Sequence, residues 1–104
     1  MRSRYARVVC ADGFSMSVQA HDGAYCDPRV DNAPKYSEVE VGFPSDYEEL
    51  LDEFVEMRHS PKAHQEQVFP YVPVKIVTNV IAKHGGMVEG EVPPGVVPLR
   101  ASSR

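Results

Sequence analysis

Ala11-Asp12-Gly13-Phe14-Ser15-Met16-Ser17-Val18-Gln19-Ala20 is the stretch that decides the fold. Phe14, Met16, Val18 and Ala20 alternate with Ser15, Ser17 and Gln19. That period of two sets one face of a strand against a core and leaves the other in water. Ala11-Asp12-Gly13 supplies a turn, with Gly13 able to take positive φ. Residues 5–10, ending in Val8-Val9-Cys10, then read as the partner strand of a hairpin. A hairpin commits the sheet to antiparallel pairing.

Residues 21–35 are rich in turn formers and have no periodicity, so they read as one long loop of the kind that often carries function. Residues 36–42 read as a third strand, with Val39 and Val41 inward and Glu38 and Glu40 outward. Gly42-Phe43-Pro44 ends it. Ser45-Asp46-Tyr47-Glu48 has the form of a capping box. Tyr47, Leu50, Leu51 and Phe54 follow at helical spacing, which predicts an amphipathic helix with a carboxylate outer face. Residues 58–67 read as polar loop, and Val68-Phe69-Pro70-Tyr71-Val72 as a short extended segment. Pro73 suits the first turn of a second helix. Ile76, Val77, Val80 and Ile81 make its buried face, Lys83 and His84 complement its dipole, and Gly85 stands where the chain should reverse. Met87 to Glu91 reads as a fourth strand. The expected fold is α+β: a three- to four-stranded, mainly antiparallel sheet with two helices packed on one face. Residues 1–92 form the expected single domain, and 93–104, with Pro93-Pro94-Gly95 and Pro98, an extended proline-rich tail.

At 104 residues, 42% hydrophobic and 25% charged, the chain has the composition of one ordinary globular domain. No apolar run approaches the roughly 20 residues that span a bilayer. Val8-Val9-Cys10 gives way at once to Ala11-Asp12-Gly13, so the apolar core of a signal peptide is not expected. Cys10 and Cys26 then read as reduced thiols of a cytosolic protein.

The charge is uneven. Residues 38–56 carry Glu38, Glu40, Asp46, Glu48, Glu49, Asp52, Glu53 and Glu56 and no basic side chain, a local charge of −8. The rest of the chain sums to +4. Such a patch is either a solvated face kept acidic for solubility, or an electronegative surface that steers a basic partner. An exposed helix kept for stability alone would more usually mix in basic residues for i,i+4 pairing. Tyr25 and Arg29, in the long loop, belong to the side-chain types enriched at interface hot spots.

Other chemistry finds less support. Cys10, Cys26, His21, His59, His64 and His84 could in principle ligate zinc, yet only His59 and His64 have a close ligand spacing, and no metal is expected. Cys26 beside His21, Asp27 and Arg29 admits a nucleophile, against the simpler reading that Tyr25, Cys26 and Pro28 pin the loop to the sheet. No Gly-rich phosphate loop occurs, since Gly85-Gly86 follows a helix instead of opening one. Arg2, Arg4 and Arg7 make a short basic arm, but with a net charge of −4 direct nucleic-acid binding is not expected. No catalytic residue and no cofactor is assigned.

Val41-Gly42-Phe43-Pro44-Ser45 and Tyr71-Val72-Pro73-Val74 running to His84-Gly85-Gly86-Met87, with the 11–20 hairpin and Tyr25-Cys26-Asp27-Pro28-Arg29 ahead of them, resemble a group of small phage and prophage proteins of unassigned function. The resemblance would cover most of residues 7–90. It implies a virus-encoded accessory protein in bacterial cytosol, of the kind that disables a host complex, anti-CRISPR proteins being one example. Together these observations lead to the expectation of a non-enzymatic inhibitor, its acidic segment held against a basic, nucleic-acid-handling host complex, with the oligomeric state left open. The alternatives are a protein that sequesters a nucleotide signal, with Arg29, Tyr25 or His84 lining a pocket, and a minor phage structural or assembly component.

Overall fold

The structure is a computed structural model that describes residues 5–57 and 60–102. Five strands form one sheet: β1 (Val8–Cys10), β2 (Ser15–Gln19), β3 (Glu38–Gly42), β4 (Val68–Pro73) and β5 (Met87–Glu89). Their spatial order is β4-β3-β2-β1-β5, and every paired neighbour runs antiparallel. The hairpin sits where its alternation requires, with Val8 opposite Met16. Gly13 takes φ +95 in the turn. The α+β reading holds, with more strands than expected and one α-helix, α1 (Val74–Lys83). Pro73 precedes α1, His84 caps it, and Gly85 turns the chain at φ +92.

The second expected helix, opened by Ser45, is instead a six-residue 3-10 segment, Glu49–Phe54. Its ends are tied to the sheet. Ser45 gives its amide to the Ser15 carbonyl, and its hydroxyl accepts the Ser15 amide, so the expected cap is spent on β2. At the other end the Glu56 amide bonds the Val68 carbonyl of β4. Both ends of the segment are thereby held by the sheet. Glu48 caps the segment, its carboxylate accepting the Leu50 amide. Leu51 is buried, and Leu50 and Phe54 pack against the same core. Full burial of a leucine is worth about 2–3 kcal/mol, which holds the segment down despite its poorer hydrogen bonding. A second, shorter 3-10 turn, His64–Glu66, lies within the stretch expected as loop.

The core lies on one face of the sheet, where Val8, Cys10, Met16, Val18, Val39, Val41, Phe69 and Val72 meet Val77, Val80 and Ile81 of α1. Strand β4 carries an extra residue opposite Glu40, because Val39 pairs with Val72 and Val41 with Phe69. Tyr71 occupies this bulge at φ +54, re-aimed outward as bulges do. The segment from residue 93 to 101, expected as a tail, packs into the same body. Val96 joins the core, the Pro94 carbonyl accepts the Tyr36 amide, and Leu99 and Ala101 bond Met87 of β5. Among the described residues no helix is long and apolar enough to cross a membrane.

Candidate functional site

The carboxylates of residues 38–56 do not share one strip. Glu38 and Glu40 alternate with Val39 and Val41, which face the core. They therefore stand on the face of the sheet opposite Leu51, which shares that core. Glu40 accepts the Tyr25 amide there, at 3.3 Å. Tyr25 lies 5.9 Å from Tyr71, centroid to centroid, with the Arg29 guanidinium 5.4 Å from the Tyr25 ring. Tyr25, Arg29, Glu38 and Glu40 thus gather on the open face. Tyr71 joins them, a contact the sequence did not announce because it depends on the β4 bulge. Phe43 is a second exposed aromatic in left-handed backbone, at φ +50.

Asp46, Glu49, Glu53 and Glu56 are solvent-exposed along the turn that carries the 3-10 segment, with Asp52 half-buried among them. Glu48 is the exception. Expected on the outer carboxylate face, it is 1% exposed. The capping geometry points its side chain inward, where Oε2 accepts from Lys83 Nζ at 2.8 Å and Oε1 meets His84 Nε2 at 2.6 Å. His84 Nδ1 in turn meets Asp12 Oδ2 at 2.6 Å, and Phe14 stacks on the imidazole at 4.1 Å. Chain positions 12, 48, 83 and 84 are joined in one charge cluster at the C-terminal end of α1.

The cluster decides its own protonation. Burial disfavours the charge on Glu48, but Lys83, the Leu50 amide and His84 outweigh it and hold the carboxyl below its ordinary 4.5. Burial likewise opposes a charged His84, yet its bonds to Glu48 and Asp12 raise it above 6.5. The Phe14 amide, then His84, lower Asp12 below 3.8. The hydrogen bond with Glu48 raises Lys83. With a carboxylate on each nitrogen, His84 is an imidazolium with both N–H groups committed. It has no donor to spare for a phosphate, which removes the support His84 lent to the nucleotide reading.

His64 is also internal. Its Nδ1 accepts the Glu48 amide at 3.2 Å, which places the proton on Nε2, facing Asp52 Oδ1 at 3.0 Å. Tyr47 and Phe69 cover the ring. His59, which stands at close ligand spacing to it in sequence, lies outside the described residues, as do Arg2 and Arg4 of the basic arm. Arg7 is described, and its guanidinium bonds the Phe43 carbonyl at 2.6 Å. The thiols are buried. Burial and the nearby Asp12 push Cys10 up to about 11. Burial also raises Cys26, whose Sγ donates toward the His21 carbonyl at 3.3 Å, so this thiol pins the long loop. His21, Asp22 and Asp31 bring one possible ligand atom each to within 4.8 Å of one another. Asp31 there accepts the Asp22 amide, and His21 Nδ1 the Gly23 amide, bonds that close the loop.

A cavity of about 310 Å³ opens beside the charge cluster, lined by Asp12, Gly13, Phe14, Ser45, Asp46, Tyr47 and His84. It adjoins the exposed acids. No family model matches the chain, and no curated protein or solved structure matches it.

Proposed function

We propose that this protein acts without catalysis, by laying the acidic turn at residues 46–56 against a basic surface of a nucleic-acid-handling host complex. The observation that carries the reading is the sorting of charge within that turn. Asp46, Glu49, Glu53 and Glu56 face solvent, while the one carboxylate turned inward, Glu48, is neutralised by Lys83 and His84. The outward acids have no lysine or arginine among them in sequence from 38 to 56. Grooves that hold nucleic acid are lined by Lys and Arg, and a group of exposed carboxylates competes for the same contacts. The resemblance to phage accessory proteins supports a place of action in the bacterial cytosol. Tyr25, Arg29 and Tyr71 on the open face would contact a partner only if it wraps around the sheet edge.

The test is capture from a bacterial lysate on the immobilised chain, with elution by duplex DNA. Nucleic-acid-binding proteins should be retained at 50 mM salt, be displaced by DNA, and be lost from a Glu49→Lys/Glu53→Lys/Glu56→Lys variant. Retention that ignores both the DNA and the charge reversal overturns the reading.

A further inference from the structure

We propose that the cavity between the β1–β2 turn and Ser45–Tyr47 is an anchor for one arginine side chain of the basic partner. The inference rests on the acidic-turn reading and adds to it a specific seat for a guanidinium. His84 presents no unspent N–H, because Asp12 and Glu48 take both nitrogens. Asp12 accepts from the Phe14 amide and from His84 through different oxygens, each keeping a lone pair. Asp46 accepts only the Tyr47 amide, through Oδ1, so among the described residues its Oδ2 has no partner. The Ser45 hydroxyl accepts the Ser15 amide and retains a lone pair. Apart from the hydroxyl protons of Ser45 and Tyr47, which can turn either way, the remaining side-chain capacity is that of carboxylate acceptors, and it favours a donor-rich ligand over an anion.

Charge narrows the choice. Lys83 cancels Glu48 and the imidazolium cancels Asp12, leaving the exposed Asp46 as the uncompensated charge at the mouth. A cation is the complementary guest. Shape and surface narrow it further. Tyr47 is 57% exposed and is braced against His64 at 4.2 Å, so an aromatic plane stands at the rim with its orientation fixed from behind. A guanidinium can lie against that plane while forking onto a carboxylate, whereas an ammonium makes a point contact. A volume of about 310 Å³ stands at the small end of ligand cavities and has room for one arginine side chain.

The test is an amide-resolved NMR titration of the full chain with the capped tripeptide acetyl-Gly-Arg-Gly-amide. The same peptide with citrulline or lysine in place of arginine serves as comparison. The arginine peptide should shift the amides of residues 12–14 and 45–47 saturably. Citrulline, of the same shape without charge, should leave them in place, and lysine should bind several-fold more weakly. Asp46→Asn and Tyr47→Ala, both at exposed positions, should each weaken the arginine peptide at least fivefold, with the shifts due to the substitution itself confined to its own surroundings, which for Tyr47 include His64. The assignment is overturned if shifts fail to saturate, map elsewhere, are equal with citrulline or lysine, or persist in Asp46→Asn. Should the peptide fail while DNA-displaceable capture through Glu49, Glu53 and Glu56 persists, the anchor alone falls. Saturable peptide binding without such capture leaves the cavity assigned and removes the basic-complex reading.

Discussion

At the scale of single residues, Glu48 carries the most consequence, because a buried carboxylate is tolerable only while its partners stay in place. Glu48→Ala would leave the Leu50 amide uncapped and strip Lys83 and His84 of their shared anion. The expected cost is about 3 kcal/mol in urea unfolding; a loss below about 1 kcal/mol would show that the carboxylate is solvated. The same cluster sets a pH profile. His84 is raised in the fold, so its contribution is complete below its unfolded value of 6.5 and is lost as pH rises through the higher folded one. Glu48 and Asp12 are lowered, so theirs is complete above unfolded values of 4.5 and 3.8 and is lost as pH falls through the folded ones. Stability should therefore be greatest between about pH 4.5 and 6.5 and decline on both sides. His84→Gln should flatten the alkaline limb above pH 6.5, as measured by unfolding at successive pH values. A wild-type profile that stays flat from pH 6 to 9 would contradict the pairing. None of this was legible in the sequence. Asp12, Glu48 and His84 are 36 residues apart at each step, and the Ser45-x-x-Glu48 spacing argues for a glutamate bonded back to Ser45 and exposed to water.

At the scale of elements, local patterns were readable wherever the chain itself supplied the partner. The 11–20 alternation became a β1–β2 hairpin, and the Ile76-Val77-Val80-Ile81 spacing became α1 with Pro73 and Gly85 at its ends. The failures came where distant backbone competed for the same groups. Ser45 could cap a helix, but Ser15 took its hydroxyl and its amide, and the expected helix shortened to the 3-10 segment. The proline-rich stretch carries no period, so its burial of Val96 and its bonds to Met87 could not be read from residues 93–101 alone. That stretch makes a strong prediction. Gly95 has φ +112, and a Cβ there would stand 2.3 Å from the Tyr36 carbonyl oxygen, which is backbone and cannot swing aside. Gly95→Ala should cost about 3 kcal/mol and lower the melting temperature by more than about 10 °C. An unchanged melting temperature would mean that the segment does not pack on Tyr36 as described.

At the scale of the whole molecule, the sheet divides the acids that lie close in sequence. Glu38 and Glu40 belong to the open face with Tyr25 and Arg29, whereas Glu49, Glu53 and Glu56 project from the turn that covers the core. The uneven charge was legible in composition; its partition was not, because strand parity and the placement of the 3-10 segment settle it. The partition separates two ways in which acidity can assist binding. If the whole −8 segment acts as a diffuse field, reversing charges on either face should slow association alike, since exposed charges act over about one Debye length, roughly 10 Å at 0.1 M salt. If the acidic turn makes the contact, the faces are unequal. For the partner recovered by DNA-displaceable capture, Glu49→Lys/Glu53→Lys/Glu56→Lys should reduce the association rate at least tenfold at low salt and shrink its salt dependence. Glu38→Lys/Glu40→Lys should change the rate by less than about twofold, because those side chains point to the far side of the sheet. Thermal unfolding of each variant distinguishes lost contact from lost fold, Glu40→Lys also giving up the bond to the Tyr25 amide. Equal slowing by the two variants would refute contact through the turn and leave only a long-range field, whose effect should fade together for both at physiological salt.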